Sequence, residues 1–402
     1  MTRTAILIAL LALFSAPAFA QRDPNGPDPS KVKVRLGPII MNPNVSFGKI
    51  GVDENVFNEP TDPKRDFTLT ISPRTEIYLR FLGTWFTGKM NEDIVWYQHY
   101  PSERQGNTTY GLDWKWPLTR LTVNTTTSHA TTRERPGFEI DERAQRTVNA
   151  FGAGASFRMF INTGFEFKMR RDTTSYDETV TFKGVNLRDQ LDVITSTMSV
   201  GVNHRITSLT SATLDFSRVQ DRFPFNPFRD ADTTEVQLSV RFDAQAVLKG
   251  SFSVGYTDYQ PLYDPIPSYT GAILAADLTY TLAEITRFTL KADRGVQDSF
   301  DIKQPYYVQT GFNFGISQQL LPKLDVVARV GLENMAYRDR TDAPVDFGNR
   351  TDRLVTYGIG VGYHRGKNMR LGLDYDMVRR DSIDGSREYQ RPQIGTSVTY
   401  DF

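Results

Sequence analysis

The chain has 402 residues, with 47 Lys plus Arg against 47 Asp plus Glu, so a nucleic-acid binder held by bulk positive charge is excluded. It has no Cys, which excludes disulfides, thiolate metal sites and Cys nucleophiles. Hydrophobic residues make up 39%, and beyond the N-terminus no apolar run reaches the roughly 20 residues of a membrane helix.

Arg3 gives a positive start, Ala5 to Phe14 an apolar core, and Ala18-Phe19-Ala20 a small-residue cleavage site. This predicts a secretory signal over residues 1–20, cleaved to leave Gln21 first. An exported chain without a later apolar helix is secreted, periplasmic, or a barrel in an outer membrane. Residues 21–43 carry Pro24, Pro27, Pro29, Pro38 and Pro43 and read as an extended periplasmic lead.

From Asn44 to the end (44–402), apolar and polar residues alternate repeatedly. Val236, Leu238, Val240 and Phe242 share one face; Gln237, Ser239 and Arg241 share the other. Leu371, Leu373, Tyr375 and Met377 oppose Arg370, Gly372, Asp374 and Asp376. This is strand periodicity; a helix would place charges inside every apolar stripe. Short connectors are expected near Ser72-Pro73-Arg74, Pro117-Leu118, Arg158-Met159, Ser208-Leu209, Leu248-Lys249-Gly250, Ala283-Glu284, Pro322-Lys323 and Gly366-Lys367. Longer polar segments lie between them, such as Lys89 to Gln105, Thr132 to Asp141, Asp177 to Gln190 and Asp339 to Arg350. Eight short turns, with one strand before and one after, predict about 18 strands, with 16 as the nearest competitor.

The predicted fold is therefore all-β: a transmembrane antiparallel outer-membrane β-barrel with both ends on the short-turn, periplasmic side. A bilayer offers backbone N–H and C=O groups no partners, so the sheet must close without an edge. Interfacial girdles are expected from Trp114 and Trp116, from Trp85 and Phe86 before a long loop, from Tyr280, and from Tyr306 with Tyr307. A soluble β-sandwich fits less well, because nearly every strand places Arg, Asp or Lys on its second face. The chain closes with Ile394, Val398, Tyr400 and Phe402 on one face. That pattern is similar to the terminal strand read by the bacterial barrel assembly machinery, which makes Tyr400 and Phe402 the expected assembly signal.

Two stretches resemble the β-barrel porin family associated with exopolysaccharide production and export. They are Asn44 to Phe57, ending in Asp53-Glu54-Asn55, and Phe67 to Pro73, closing on Ser72-Pro73. Arg133 to Arg143, with Arg135-Pro136 and Glu139, resembles its Arg-rich hairpin. The resemblance implies an outer-membrane channel, with exopolysaccharide as one class of cargo.

By alternation the lumen is expected to be lined by Arg80, Lys115, Glu166, Lys168, Arg170, Arg241, Asp243, Asp277, Lys291, Asp293, Arg329, Glu333, Arg370, Asp374 and Asp376. The signs are mixed, so strong ion selectivity is not predicted, and some of these groups are expected to pair wall to wall. Gly358, Gly360 and Gly362 face inward on one strand, where they permit curvature or leave a smooth patch. Enzyme readings built on His99 beside Glu92 and Asp93, or on His129 beside Ser128, lack a nucleophile or paired-carboxylate motif. The acidic loops lack the ligand spacing of a calcium loop, and no cofactor or metal is expected. A receptor with an N-terminal plug is disfavoured, because no plug-sized segment precedes the first strand. The expected partners are outer-membrane lipid and lipopolysaccharide, the assembly machinery and periplasmic polysaccharide-export components, with no nucleic acid. The alternative function is a structural or adhesive surface barrel with a plugged lumen, acting through its loops.

Overall fold

In the computed structural model the described residues are 32 and 34–401, apart from 244, 245, 345, 346, 349, 367 and 368. The expected signal segment 1–20, most of the lead and Phe402 lie outside them. The strands in chain order are β1 (Val34–Leu36), β2 (Ile39–Asp53), β3 (Asp66–Phe81), β4 (Thr84–Tyr97), β5 (Gln105–Pro117), β6 (Leu121–Glu134), β7 (Ala144–Arg158), β8 (Thr163–Tyr176), β9 (Thr181–Phe182), β10 (Val185–Asn186), β11 (Val193–Thr207), β12 (Thr210–Arg222), β13 (Ala231–Phe242), β14 (Leu248–Pro261), β15 (Tyr269–Leu282), β16 (Thr286–Asp298), β17 (Tyr306–Leu321), β18 (Leu324–Arg338), β19 (Thr351–Arg365), β20 (Met369–Asp381) and β21 (Tyr389–Asp401). Eighteen of them, all except β1, β9 and β10, form one antiparallel barrel closed by the pairing of β2 with β21. Each of the eighteen has 12 to 16 residues, more than the roughly 9–11 a tilted strand needs to cross a bilayer.

Alternation sets the two faces. Phe151, Met198, Leu214, Tyr256, Ile359 and Leu373 each leave about half their surface uncovered, because a lipid-facing side chain has no protein neighbour. Their strand neighbours point inward and are small or polar. Aromatic ladders run along the outer wall near the short turns, with Phe86 stacked on Trp114, Trp114 on Trp116, and Tyr280 on Phe288. Two of the expected girdle positions are corrected. Trp85 and Phe86 follow a short turn rather than preceding a long loop, and Trp85 is buried beneath the Arg80 guanidinium. Tyr306 and Tyr307 are buried at the long-loop end, against Tyr259 and Tyr337 respectively.

The first short turn is also corrected. Ser72-Pro73-Arg74 lies in the middle of β3, and the chain turns instead at Leu82 and Gly83, both with positive φ. Proline lacks the N–H of the ladder. Pairing with β4 accordingly lapses at Ser72 and Pro73 and resumes in the same register at Arg74, while the Ser72 hydroxyl donates to the Asp93 carboxylate. The expected loop Lys89 to Gln105 shrinks to residues 98–104, because β4 runs on to Tyr97. The expected turn at Leu248-Lys249-Gly250 lies instead within β14, which begins at Leu248. Strand structure also begins earlier than Asn44. β2 starts at Ile39, and β1 pairs with its first residues where β21 has ended, covering an edge that would otherwise be open.

Candidate functional site

The lumen wall carries the charges that alternation places there. Arg80, Lys115, Glu166, Lys168, Arg170, Arg241, Asp277, Lys291, Asp293, Arg329, Glu333, Arg370, Asp374 and Asp376 all occupy inward positions by register. Asp243 does not. β13 ends at Phe242, and Asp243 sits in the following turn with its N–H donating to the Leu209 carbonyl. Many of the wall charges are paired: Lys168 with Glu166 at 2.6 Å and Asp215 at 3.6 Å, Lys89 with Asp113 at 3.0 Å, and Arg170 with Asp172 at 2.6 Å. Lys291 and Asp277 lie 3.7 Å apart and are about two-thirds exposed, which marks a wall bathed in solvent. Pairs this exposed contribute about 0–1 kcal/mol each and set local charge more than stability.

The inward glycines of β19 are roofed by ion pairs. Arg329 on β18 reaches across Gly358 and Gly360 to Asp376 at 2.8 Å and Asp374 at 3.2 Å on β20. Arg370 on β20 reaches back over Gly362 to Asp325 at 2.7 Å, where His364 also bonds. A side chain at these positions would occupy the space of the bridges, so the glycines serve two guanidinium–carboxylate links that stitch β18 to β20.

At the long-loop end the lumen is crossed by protein. Residues 135–143, between β6 and β7, turn inward where Pro136 is followed by Gly137 at φ +66°. Their far end meets the opposite wall. Glu139 accepts from the Ser299 hydroxyl at 2.6 Å and the Phe300 N–H at 3.0 Å. Arg380 on β20 donates to the Phe138 carbonyl at 2.9 Å, to Asp141 at 3.1 Å and to Asp352 at 2.6 Å. Arg387 donates to the Glu139 carbonyl and to the Tyr337 hydroxyl, and lies 3.3 Å from Asp352. The Arg350 guanidinium stacks 3.9 Å over the Tyr337 ring. Arg350, Arg380 and Arg387 thus face Asp141, Asp352 and Glu139, with Arg380 and Asp352 1% and 0% exposed.

Other loops lock onto this segment. In residues 177–192, β9 and β10 form a hairpin whose tip, Lys183-Gly184, has φ of 49° and 77°, the signs of a type I′ turn. The short helix α1 (Leu187–Leu191) follows, capped by the Asn186 side chain. Phe182, Leu187 and Leu191 pack with Ile140 and Phe300, the two phenyl rings edge to face at 4.7 Å. Lys183 crosses to the loop between β20 and β21, donating to the Ser386 hydroxyl at 2.6 Å. Nearer the loop's own wall, Arg135 donates to the Val56 carbonyl at 2.6 Å and Arg143 to Glu103 and to the Tyr97 hydroxyl. The outcome is a cap knit from loops on opposite sides of the ring.

Burial shifts the cap's titrating groups. The Arg135 guanidinium is pushed down to about 10, by burial first and then by the positive charges of Arg391 and Arg143. Burial pushes the Glu139 carboxyl above its ordinary value, and Arg387 opposes this only in part. A closed cap that holds a proton the open loop releases is favoured at low pH. That advantage is lost as pH rises from the ordinary carboxylate range through the raised value. Proteolysis of the 135–143 segment should therefore increase over that window, and Glu139→Gln should flatten the profile. A profile unchanged by Glu139→Gln would contradict this assignment.

The groups weighed for an enzyme are not brought together. His129 faces outward and bonds Asn149 at 2.7 Å, while Ser128 points to the other face. His99 bonds Asp66 at 2.9 Å at the foot of a loop. The expected terminal signal is described as far as Tyr400, which shares the outer face with Val398 and Ile394.

Comparison with solved structures returns outer-membrane barrels. A BenF-like porin from Pseudomonas fluorescens Pf-5 matches at 8% identity, covering 90% of this chain and 98% of that one, with a TM-score of 0.47. A structure described as a bacterial polysaccharide outer membrane secretin matches at 10% identity, covering 90% and 98%, with a TM-score of 0.34. The ferric enterobactin receptor PfeA of Pseudomonas aeruginosa matches at 11% identity and a TM-score of 0.45, over 84% of this chain but 62% of that longer one. No curated protein matches the chain. The family model described as Putative beta-barrel porin 2 matches residues 28–402. The chain belongs to that β-barrel porin family.

Proposed function

We propose that the protein is an outer-membrane channel for polar solutes, closed at its outer mouth by the loop cap and opened when residues 135–143 withdraw. The long loops face the exterior and both barrel ends face the periplasm, following export through a cleaved signal. The observation that carries this reading is the contrast along the axis. Lys291 and Asp277 on the wall are solvated, whereas Arg380 and Asp352 in the cap are sealed from water. Hydrated charged walls sort solutes by size and field. Exopolysaccharide is the cargo implied by the family resemblance, and a wall of alternating paired charges suits a polar, weakly retained chain.

The test is ion conductance through a barrel whose 136–142 segment is replaced by a short Gly-Ser linker, with neutral and acidic oligosaccharides added. Blockade by the sugars is the expected result. Steady conductance indifferent to them would leave a general pore and remove exopolysaccharide as cargo. The filled mouth also favours a second reading, a surface barrel acting through its loops. That reading predicts no conductance even after the segment is removed.

A further inference from the structure

Beneath the cap, two carboxylates face one another with no counter-charge among the described residues. Asp293 on β16 and Glu333 on β18 flank Gly311 on β17 at the same level, all three on the inner face. Gly311 leaves the gap between them open. A methyl there would lie 2.5 Å from Asp293 Oδ1 and closer still to Glu333 Oε2. Glu333 is 3% exposed, and its Oε2 has no hydrogen-bond partner. Its other oxygen accepts from the Asn313 amide at 3.0 Å, and the second oxygen of Asp293 accepts from Gln309 at 2.8 Å. The nearby cations are engaged elsewhere: Lys291 lies against Asp277, and Arg329 against Asp374 and Asp376.

A buried, unpartnered carboxylate oxygen beside a second carboxylate is unfavourable as an ion, and either a bound cation or a shared proton relieves it. We infer that Asp293 and Glu333 bind a hard divalent cation of the calcium or magnesium class over Gly311. Oxygen ligands at about 2.3–2.6 Å suit calcium and at about 2.0–2.1 Å magnesium, and waters from the lumen complete the shell of either. The amides of Asn313 and Gln309 hold each carboxylate by its far oxygen, leaving the near oxygens for the ion. Met335, two residues further along β18, packs in the cluster of Tyr307, Tyr337 and Phe138, so the ion lies directly under the cap. This site depends on the barrel and the register and not on the identity of the transported solute.

The test is terbium luminescence, sensitised by tyrosine, on the full barrel in lipopolysaccharide-free detergent, with calcium as competitor. One saturable site is expected, with a dissociation constant for calcium of about 10⁻⁴–10⁻³ M, as for sites with few charged ligands. Glu333→Gln and Asp293→Asn should each weaken binding at least about tenfold, since each removes one of two anionic ligands. Gly311→Ala, which fills the cradle without changing charge, should weaken it similarly. Heat-shifted gel migration identifies variants that remain folded, and at least one folded variant must lose the site. Binding unaltered in a folded variant would overturn the inference. So would the absence of saturable binding by the wild-type barrel, which would leave the two carboxylates sharing a proton.

Discussion

Arg380→Ala is expected to release the 135–143 segment and expose it to protease added outside intact cells. Arg380 is 1% exposed and satisfies two carboxylates and the Phe138 carbonyl at once. Removing it strips Asp141, in the segment itself and only 14% exposed, of its guanidinium partner at 3.1 Å. Breaking such a buried pair costs about 3–5 kcal/mol, which shifts a closed-to-open ratio by more than about a hundredfold. Trypsin should then cut after Arg143, because Arg135 is followed by Pro136 and its bond resists the enzyme. Arg379→Ala is the control. Arg379 points to the opposite face and pairs with Asp381, both partners about half exposed, so its loss should change stability by about 0–1 kcal/mol and leave the segment protected. Equal protection in both variants would mean that the cap is held by packing around Ile140 and Phe182 rather than by its charges.

Gly51→Ala is expected to prevent assembly. Gly51 lies at the seam where the first and last barrel strands meet, just past a register shift in β2. A methyl there would strike the Ile394 carbonyl, whose carbon lies 2.9 Å away, and the backbone at Gly395. Backbone atoms of a paired strand cannot move aside without breaking the ladder, and an open seam in a bilayer leaves N–H and C=O groups unsatisfied. The penalty should exceed about 4 kcal/mol. Loss of the heat-modifiable band on a gel would report it. Gly48→Ala, three residues away and with nothing within 4 Å of the added methyl, should assemble normally.

The sequence made the barrel legible because its signal is local and repeated. Each strand alternates with period two, and each short turn lies between two such runs. Even the misplaced turn left the strand count intact. Ser72-Pro73 carries turn-forming residues but lies within β3, and Leu82-Gly83, where the chain turns, offers a single glycine behind a leucine in left-handed backbone. The inward register of the charged positions follows from the same alternation, and Asp243 falls outside it because β13 ends at Phe242. The cap was not legible. Arg380 and Asp141 are 239 positions apart in the chain, and no periodicity links them. Glu139 and Arg135 stood out only as part of an Arg-rich stretch. Tyr306 and Tyr307 read as a girdle because an aromatic pair at a strand end looks the same in sequence whether it meets lipid or a folded loop.

Single-channel conductance in a planar bilayer, comparing the wild-type barrel with one lacking residues 136–142, tests the loop-capped pore most directly. The expected result is a wild-type barrel closed for most of the record and a shortened barrel that conducts steadily. A wild-type barrel that conducts steadily, at a level unchanged by removal of the segment, would contradict it.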